Sequence, residues 1–376
     1  MTKLKLMTIV GTRPEIIRLS SVIKACDRYF DHVLVHTGQN WDHALSQVFF
    51  DDLELRKPDY FLEVAGGSLG ETMGAIIAKS YEVLERERPD ALLVLGDTNS
   101  ALSAIPAKRL KVPIFHMEAG NRCWDWNVPE MTNRTIVDHI ADINLPYTEN
   151  SRRYLLSEGL DGKAIFVTGS PMREVLRDTE AKIEASTVLS DLNLTPKGYI
   201  LLSAHREENI DDESSFMSLM QAVNRIAEQR QMTILYSVHP RSRKFIEQRG
   251  FEFHPLVQLR EPFGFCDYVK LQQNAYCVLS DSGTLSEESA MLGFPAVLIR
   301  TSTERPEALD AGTVVVGGIT GEDMEQAMDV AVGMADAGAE VGVALDYVET
   351  AVSTKVVKVI QSYAKIVNIT TWRKSR

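Results

Sequence analysis

The sequence predicts an α/β protein built from two doubly wound, Rossmann-like domains. Short apolar runs alternate with longer amphipathic segments, which is the pattern of buried parallel strands covered by helices on both faces. The alternation pauses once, between residues 171 and 197, and then restarts. The chain of 376 residues also exceeds the usual size of one domain. Two such domains facing each other are expected to leave an interdomain cleft for one ligand.

The first predicted domain covers residues 1–170. Its apolar runs are typical of strands buried on both faces, and they occur at 6–10, 32–36, 91–97, 112–118 and 142–147. The segments between several of these runs have helical periodicity and are predicted as the connecting helices at 14–29, 69–88 and 98–111.

The second predicted domain covers residues 171–344, beginning with a charged segment that ends in the linker-like "LNLTPKG". Its apolar runs predict strands at 199–205, 232–240, 254–259, 275–281, 295–299 and 312–317. The last helical segment, within about 345–376, is expected to pack back onto the first domain.

Composition excludes several classes of protein. A formal charge of -12 argues against general nucleic-acid binding, which requires a basic surface. The four cysteines show no metal-ligand spacing, so reduced thiols are expected, and no metal site. No apolar segment is long enough for a membrane span, and no signal peptide precedes the first strand. A cytoplasmic protein is therefore expected, with no membrane partner.

Arginines follow the first predicted strand in "GTRPEIIRL". Gly11 is suited to the turn, while Arg13 and Arg18 are placed to reach a phosphate at the start of the next helix. The stretch is neither a GxGxxG fingerprint nor a P-loop. An arginine solvated at a turn is the alternative interpretation.

"SDSGTLSEES" is the stronger phosphate candidate, because it lies between a predicted strand and a predicted helix. Ser282, Gly283 and Thr284 would offer hydroxyl and backbone N–H groups at a helix N-terminus. Glu287 and Glu288 would repel a phosphate, so capping or hydrogen bonding to ribose suits them better. An ordinary helix cap remains the alternative.

Cationic side chains follow further strands of the second domain. His205 and Arg206 end one strand, His239 ends the next, and Arg305 follows another. A single histidine at a strand end is more often structural. Several cationic groups at successive strand ends of an acidic protein instead predict a strongly anionic ligand, such as a diphosphate.

The first domain supplies carboxylates at its strand ends. Asp97 follows one strand, Glu118 ends another, and Glu130 opens the helix after it. Each alone suits a helix cap or a surface ion pair. Together, opposite a cationic domain, they predict acid–base groups beside a phosphate site.

These residues belong to motifs that resemble the non-hydrolysing UDP-N-acetylglucosamine 2-epimerases. The motifs occur in the same order and spacing from about residue 8 to residue 317, and they are "GTRPE", "GDTNS", "HMEAG", "PEMTNR", "SAHREEN", "VHP", "SDSGTLSEE" and "ERPEA". The resemblance implies a GT-B-like fold and an isomerase that needs neither NAD nor a metal. It also implies anti elimination of UDP from the sugar, a glycal intermediate, and re-addition with C2 inverted.

The resemblance also assigns roles to individual positions. Catalytic roles fall on Asp97, Glu118, Glu130 and His205. The residues implied to hold UDP are Arg13, His205, Tyr268, Ser282, Gly283, Glu288 and Arg305. Among these, Tyr268 occupies the position of an aromatic side chain that contacts the uracil. Arg18, Arg206, His239 and Thr284 are added to the predicted diphosphate site because of their positions after the strands.

The sequence departs from the common family pattern around the sugar. The usual "PEEINR" is "PEMTNR", and the loop between Glu118 and Glu130 is shorter by about two residues than is typical of the resembled family. These changes resemble the UDP-N-acetyl-L-fucosamine synthase branch, which acts on UDP-2-acetamido-2,6-dideoxy-L-talose. A 6-deoxy sugar tolerates an apolar wall, and the predicted sugar-side residues are Arg122, Trp124, Trp126, Met131 and Arg134.

Other functions remain compatible with this sequence. A UDP-N-acetylglucosamine 2-epimerase is the nearest alternative, and an enzyme that hydrolyses the UDP-sugar differs only in water access to the intermediate. A glycosyltransferase of the same fold, or a non-catalytic UDP-sugar sensor, is more distant, because neither needs this set of acid–base groups. The resemblance further implies a homodimer and a role in making surface polysaccharide, such as capsule or O-antigen.

Overall fold

Each half of the chain folds around one parallel sheet of six strands. The computed structural model describes residues 3–39, 49–126 and 128–374. One unit comprises Met1–Asp178 with Val348–Arg376, and the other comprises Thr179–Tyr347. Within the described ranges, no helix is both long and apolar enough to cross a membrane.

The sheet of the first unit has the strand order β3-β2-β1-β4-β5-β6, with all neighbours parallel. Its strands are β1 Lys5–Val10, β2 Asp31–His36, β3 Tyr60–Phe61, β4 Ala91–Leu95, β5 Ile114–Met117 and β6 Ile143–Leu145. The five predicted strands are confirmed. The additional strand, β3, is only two residues long and neither residue is fully buried, so it leaves no apolar run in the sequence.

Helices and short 3-10 turns connect these strands. The helices are α1 Arg13–Tyr29, α2 Leu69–Glu87, α3 Ala104–Arg109, α4 Pro129–Ile140, α5 Glu149–Ser157 and α6 Met172–Ala185, and the 3-10 turns are Asn99–Ser103 and Gly162–Ala164. Helix α6 occupies part of the charged segment that was predicted without strands. Its charged residues therefore belong to a helix that begins in the first unit and ends in the second.

The second unit repeats the same topology. Its strands are β7 Tyr199–Ser203, β8 Thr233–Ser237, β9 Val257–Arg260, β10 Cys277–Ser280, β11 Ala296–Leu298 and β12 Val315–Val316, in the order β12-β11-β10-β7-β8-β9. All six predicted strands are confirmed. The first strand lies between the second and the fourth in both sheets, which is the doubly wound order of a Rossmann-like domain.

The helices of the second unit follow the same alternation. They are α7 Val188–Asp191, α8 Glu207–Ile210, α9 Glu213–Arg230, α10 Pro240–Arg249, α11 Phe265–Asn274, α12 Leu285–Leu292, α13 Pro306–Asp310 and α14 Gly321–Asp336, and a 3-10 turn covers Leu345–Tyr347. The apolar faces of α9 and α14 pack with one face of the sheet in a single buried cluster that includes Phe216, Val223 and Met328.

The last helix, α15 Val352–Thr370, packs against α1 in the first unit. Its buried residues, spaced three or four apart, form one apolar stripe of Val352, Val356, Ile360, Ala364 and Val367. Ser353 N donates to Glu174 Oε2 at 3.0 Å, which ties the start of α15 to α6.

The strand order places a reversal point in each sheet, between β1 and β4 and between β7 and β10. Ligands of open α/β sheets bind beyond the carboxyl ends of the strands at such points. In the first unit Gly11 and Asp97 follow the two central strands, and in the second unit His205 and Ser282 do so. The topology therefore accounts for why the predicted site residues cluster after these strands.

Candidate active site

His205 follows β7 and faces a buried aspartate, Asp281, that follows β10. Asp281 Oδ2 accepts hydrogen bonds from the backbone N–H groups of His205 and Arg206, both at 2.9 Å, and Asp281 Oδ1 lies 3.2 Å from His205 Nδ1. Burial by itself raises the pKa of Asp281, but the charge and hydrogen bonds of His205 and the N–H of Arg206 outweigh burial and hold it well below its ordinary value. Asp281 is therefore ionised.

An ionised carboxylate only accepts hydrogen bonds, so the proton of the His205 ring facing Asp281 lies on Nδ1. The other nitrogen, Nε2, is left for a ligand, and the side chain is 38% exposed. The ring of His239 lies beside it, with the two centroids 5.7 Å apart. His239 Nδ1 accepts from the backbone N–H of Arg241 at 3.2 Å, so its Nε2 carries a proton. Together the two rings present polar atoms at adjacent strand ends.

The loop after β10 leads directly into α12. Ser282 Oγ lies 2.9 Å from Thr284 Oγ1, and α12 begins one residue after Thr284. The Arg206 guanidinium crosses the same loop, because its Nε donates to Asp281 O at 3.1 Å and its Nη2 lies 3.7 Å from where a Cβ on Gly283 would stand. Hydroxyls, a helix N-terminus and a guanidinium at one loop make a suitable site for an anion.

The two glutamates of α12 have different partners. Buried Glu287 pairs with Arg305, with Glu287 Oε1 and Arg305 Nη2 2.9 Å apart. Glu288 instead accepts from Gln272 Nε2 at 2.6 Å. The Glu287 charge is thus balanced within the unit, and Arg305, expected to hold UDP, is itself buried beside that carboxylate.

Tyr268, the residue implied to contact the uracil, lies on α11. It packs against a buried apolar cluster that includes Tyr199, Leu271 and Leu285. Burial raises the pKa of Tyr268 well above its ordinary value, and the nearby charge of Glu288 adds to the rise. Tyr268 is therefore a neutral, half-buried ring at the same unit's candidate anion site.

In the first unit, Glu118 follows β5 with a backbone that few glutamates adopt. Its φ is 60°, in the left-handed region. This conformation is energetically unfavourable for a residue other than glycine, and residues that adopt it occur preferentially at functional sites. The side chain is buried, pairs with Arg18, and accepts from Asn121 Nδ2 at 3.3 Å. Arg18 was predicted to reach a phosphate, and the structure places its guanidinium on this carboxylate.

Asp97 is held in a similar way from α4. The Asp97 carboxylate pairs with the buried guanidinium of Arg134, and Asn133 Nδ2 donates to the Asp97 carbonyl at 3.0 Å. Arg134, predicted on the sugar side, thus lies against a predicted catalytic acid. Glu130 lies half-buried in the first turn of α4, where the helix dipole favours a carboxylate.

The remaining sugar-side candidates divide into buried and exposed residues. Met131 has no exposed surface, and Arg122 is buried in contact with Asp138 and Glu158. Trp124 and Trp126 are 57% and 65% exposed, and Trp124 lies edge-on to Tyr154 with centroids 5.7 Å apart. The two tryptophans are therefore the members of this set with surface available to a ligand.

The turn after β1 depends on Gly11 for space. A Cβ there would come within 2.0 Å of Ser100 Oγ and Thr37 Oγ1, and no positive φ is involved. Thr12 and Glu15 form a capping box at the start of α1, and Pro14 occupies the second helical position. The Arg13 guanidinium lies 5.4 Å from the ring centroid of Phe49.

Glu15 is expected to make stability depend on pH between about 4.3 and 7. Burial raises the pKa of Glu15 to about 7, and hydrogen bonds from Thr12 and Gly11 only partly oppose this. As the pH rises through this window, the unfolded chain ionises first, and the free energy of unfolding falls by roughly 3 kcal/mol. Glu15→Gln should flatten this dependence in urea unfolding at pH 4.5 and 7.5, whereas the exposed Glu82→Gln should leave it unchanged. Parallel profiles for wild type and Glu15→Gln would contradict the assignment.

Residue-by-residue sequence reasoning did not identify Asp281 as the partner of His205. The only available signal was its place in "SDSG" at the end of a predicted strand. Asn209 was also missed, although its Nδ2 donates to Asp281 Oδ2 at 3.1 Å. An aspartate or an asparagine does not by itself indicate a partner for His205. The relation becomes visible only when the topology places β7 beside β10.

The fold and these groups define a class. Two doubly wound sheets of this topology are the architecture of GT-B-like proteins. A glycosyltransferase structure from Rickettsia africae superposes with a TM-score of 0.52 at 12% identity, covering 95% of this chain and 94% of that one. A likeness at that identity shows the shared fold alone.

Sequence comparison then identifies the family. The family profile described as UDP-N-acetylglucosamine 2-epimerase matches residues 24–361, so the chain belongs to the UDP-N-acetylglucosamine 2-epimerase family. Its members are isomerases, and the prediction of an enzyme of this class is confirmed.

Individual relatives are similar over almost the whole chain. The structure of a UDP-N-acetylglucosamine 2-epimerase from Rickettsia bellii is 46% identical, with a TM-score of 0.91, covering 99% of this chain and 100% of that one. That of Methanocaldococcus jannaschii UDP-GlcNAc 2-epimerase, in complex with UDP-GlcNAc and UDP, is 30% identical, with a TM-score of 0.89 and coverage of 95% and 99%. A UDP-2,3-diacetamido-2,3-dideoxy-D-glucuronate 2-epimerase from Pseudomonas aeruginosa is 35% identical over 84% of this chain and 88% of its own length.

Proposed function

We propose that the protein inverts C2 of a UDP-activated 2-acetamido sugar through a glycal intermediate. The observation that carries the proposal is the division of charge between the two sheets. After β4 and β5 the carboxylates Asp97 and Glu118 are each held by a buried arginine. After β7 and β10 the partly exposed side chain of His205 lies near a helix N-terminus suited to a diphosphate.

The chemistry requires this division. The C2 proton is weakly acidic because no carbonyl group is adjacent to it, so departure of the diphosphate must run ahead of proton removal. The C2–H bond breaks, its electron pair forms the C1–C2 double bond, and the C1–O bond breaks with its electrons leaving on UDP. Donors in the second unit stabilise the charge that develops on the leaving oxygen.

The return step explains why more than one carboxylate is needed. UDP adds back to C1 while C2 takes a proton from the opposite face. One acid–base group must remove a proton from one face, and a second group must deliver a proton to the other. Asp97, Glu118 and Glu130 are the candidates for these two roles, and His205 acts at the diphosphate.

Proton exchange in deuterated water tests the reaction. The enzyme is incubated with each candidate UDP-sugar, and C2 is followed by NMR. Deuterium at C2 of an intact UDP-sugar, together with the C2 epimer, is the expected result. Release of free sugar would indicate a hydrolysing enzyme, and absence of exchange on every candidate would favour the transferase or sensor.

Within this reaction we assign UDP-2-acetamido-2,6-dideoxy-L-talose as the substrate and UDP-N-acetyl-L-fucosamine as the product. The assignment is supported by the altered loop after Glu118 and by its exposed tryptophans, which suit a sugar with a methyl group in place of the 6-hydroxyl. The P. aeruginosa relative is named for another modified hexosamine, so modified substrates occur at this level of similarity.

A second candidate substrate is UDP-N-acetylglucosamine, favoured by the names of the R. bellii and M. jannaschii relatives. The ratio of kcat/KM for the two UDP-sugars separates the candidates. Turnover of UDP-N-acetylglucosamine equal to or faster than that of the 6-deoxy-L-sugar would reject the first assignment.

Trp124→Ala is expected to raise KM for the 6-deoxy sugar by about tenfold, because loss of an aromatic contact of about 1–2 kcal/mol weakens apolar binding. KM for UDP-N-acetylglucosamine should change less, since its 6-hydroxyl gains little from an apolar wall. Tyr81→Ala, which removes an exposed ring from α2, is the matched control and should change neither value. Equal changes for both sugars would show that Trp124 does not select the sugar.

The proposal retains three further predictions made from the sequence. They are a homodimer, a cytoplasmic location, and supply of a UDP-sugar for surface polysaccharide such as capsule or O-antigen. Light scattering of the purified full chain tests the first, and cell fractionation tests the second.

A further inference from the structure

The turns that carry Asp97 and Glu118 are joined by a buried charge network of His116, Asp138 and Arg122. The side chains of His116 and Asp138 have no exposed surface. His116 Nδ1 lies 2.9 Å from Asp138 Oδ1, and Asp138 Oδ2 lies 2.8 Å from Arg122 Nη1. The network meets Arg134, the partner of Asp97, at the carbonyl oxygen of Asn121, to which Arg122 and Arg134 both donate.

The network reaches both turns through backbone atoms. His116 Nε2 lies 2.7 Å from the carbonyl oxygen of Gly96, the residue before Asp97. Asp138 accepts from the backbone N–H of Gly120, two residues after Glu118, at 3.2 Å to each carboxylate oxygen. One imidazole and its aspartate therefore tie the positions of both turns together.

Both neighbours of the His116 ring are hydrogen-bond acceptors. Burial by itself raises the pKa of Asp138, but His116 and Arg122 outweigh burial and lower it below its ordinary value, so Asp138 is ionised. A backbone carbonyl and an ionised carboxylate both accept hydrogen bonds only. Each ring nitrogen faces one of them, at 2.9 Å from Asp138 Oδ1 and 2.7 Å from Gly96 O, so a ring with a proton on both nitrogens suits both neighbours. A neutral ring would leave a buried lone pair against an acceptor.

We propose that His116 is a positioning residue that, as a buried imidazolium, holds the Asp97 and Glu118 turns in the geometry needed for proton transfer at C2. The proposal rests on the proposed function, because only that reaction gives the two carboxylates a catalytic role. Arg122 secures the far side of the network through Glu158, with both Arg122–Glu158 contacts at 2.7 Å. His116 itself acts only through the backbone of these turns.

The first test reads the ring directly and needs no substrate. In the full chain labelled with 15N-histidine, the His116 signals are identified by their absence from the His116→Gln variant. Both ring nitrogens should show an attached proton in the wild type, and one should lose it in Asp138→Asn. A single protonated nitrogen in the wild type would overturn the proposal, whatever the enzyme's reaction proves to be.

The second test separates positioning from structural support. His116→Gln should lower kcat for C2 exchange by roughly 100-fold, the effect of a misplacement of about 1 Å, with KM and UDP affinity within about twofold. His32→Gln is the matched control, because it removes a buried imidazole that lies 2.6 Å from Asp27 and 2.8 Å from Thr8 Oγ1 at the opposite end of the strands.

The two variants should differ in kcat even where they lower the melting temperature equally. Unchanged kcat in a natively folded His116→Gln variant would overturn the proposal. If the wild type turns over no UDP-sugar, the proposed function fails, while the 15N spectra still decide the charge of the ring.

Discussion

Glu118→Gln is expected to lower kcat for C2 epimerisation by about 10³-fold or more, at the upper part of the range for loss of an acid–base group. The amide keeps the shape of the side chain and can still accept from Arg18, but it can neither take nor return a proton. UDP affinity should stay within about twofold, because the candidate anion site belongs to the other unit. Deuterium incorporation at C2 and titration calorimetry with UDP measure the two quantities.

Parallel variants assign the faces of the sugar. Asp97→Asn and Glu130→Gln are measured beside Glu118→Gln. The control is Glu82→Gln, which changes an exposed residue of α2 outside the candidate site. A variant that exchanges the C2 hydrogen but does not invert C2 has lost the group that delivers a proton to the opposite face of the sugar. A variant that neither exchanges the hydrogen nor inverts C2 has lost the base that removes the C2 proton. If Glu118→Gln keeps its rate within about tenfold, Glu118 is not an acid–base group.

Asp281→Asn is expected to lower kcat by roughly 10³- to 10⁴-fold, although Asp281 acts only through His205. In the wild type the Asp281 carboxylate accepts hydrogen bonds from two backbone N–H groups and faces Nδ1 of His205. An amide at this position can present its N–H to Nδ1, which favours the other tautomer, with the ring proton on the outward-facing Nε2. It also removes the negative charge that lies beside the ring. Steady-state rates and UDP affinity measure the effect.

Non-additivity distinguishes positioning from loss of stability. If Asp281 acts through His205, the double variant Asp281→Asn with His205→Asn should be no slower than His205→Asn alone. Additive losses would show that Asp281 has an independent role. Asp329→Asn is the control, since it removes an aspartate that pairs with Arg230 on the surface of the same unit.

The sheets could be predicted because their strands are buried on both faces and therefore appear as apolar runs. The position of the candidate site could also be predicted, because polar residues that follow such runs must meet at the carboxyl edge of a parallel sheet. The strand β3 could not be predicted, because its two partly exposed residues are too few to form an apolar run or an alternating pattern.

The partners of the site residues were beyond sequence reasoning for a different reason. Arg18 and Glu118 are 100 residues apart, and Arg134 and Asp97 are 37 apart, so only tertiary packing joins them. The sequence shows two cations and two anions, but an arginine suits a phosphate and a carboxylate equally well. The sequence therefore predicts a phosphate contact for Arg18, whereas its pairing with the buried Glu118 is visible only in the structure.

The return of α15 to α1 has a consequence for synthesis on the ribosome. Residues 179–347 emerge and can complete their own sheet while the surface of α1 that α15 covers is still open. The unit that begins the chain is thus the last to be finished. An apolar surface left uncovered through the translation of a whole second domain invites misassembly, and it gives chaperones a defined period in which to protect the nascent protein.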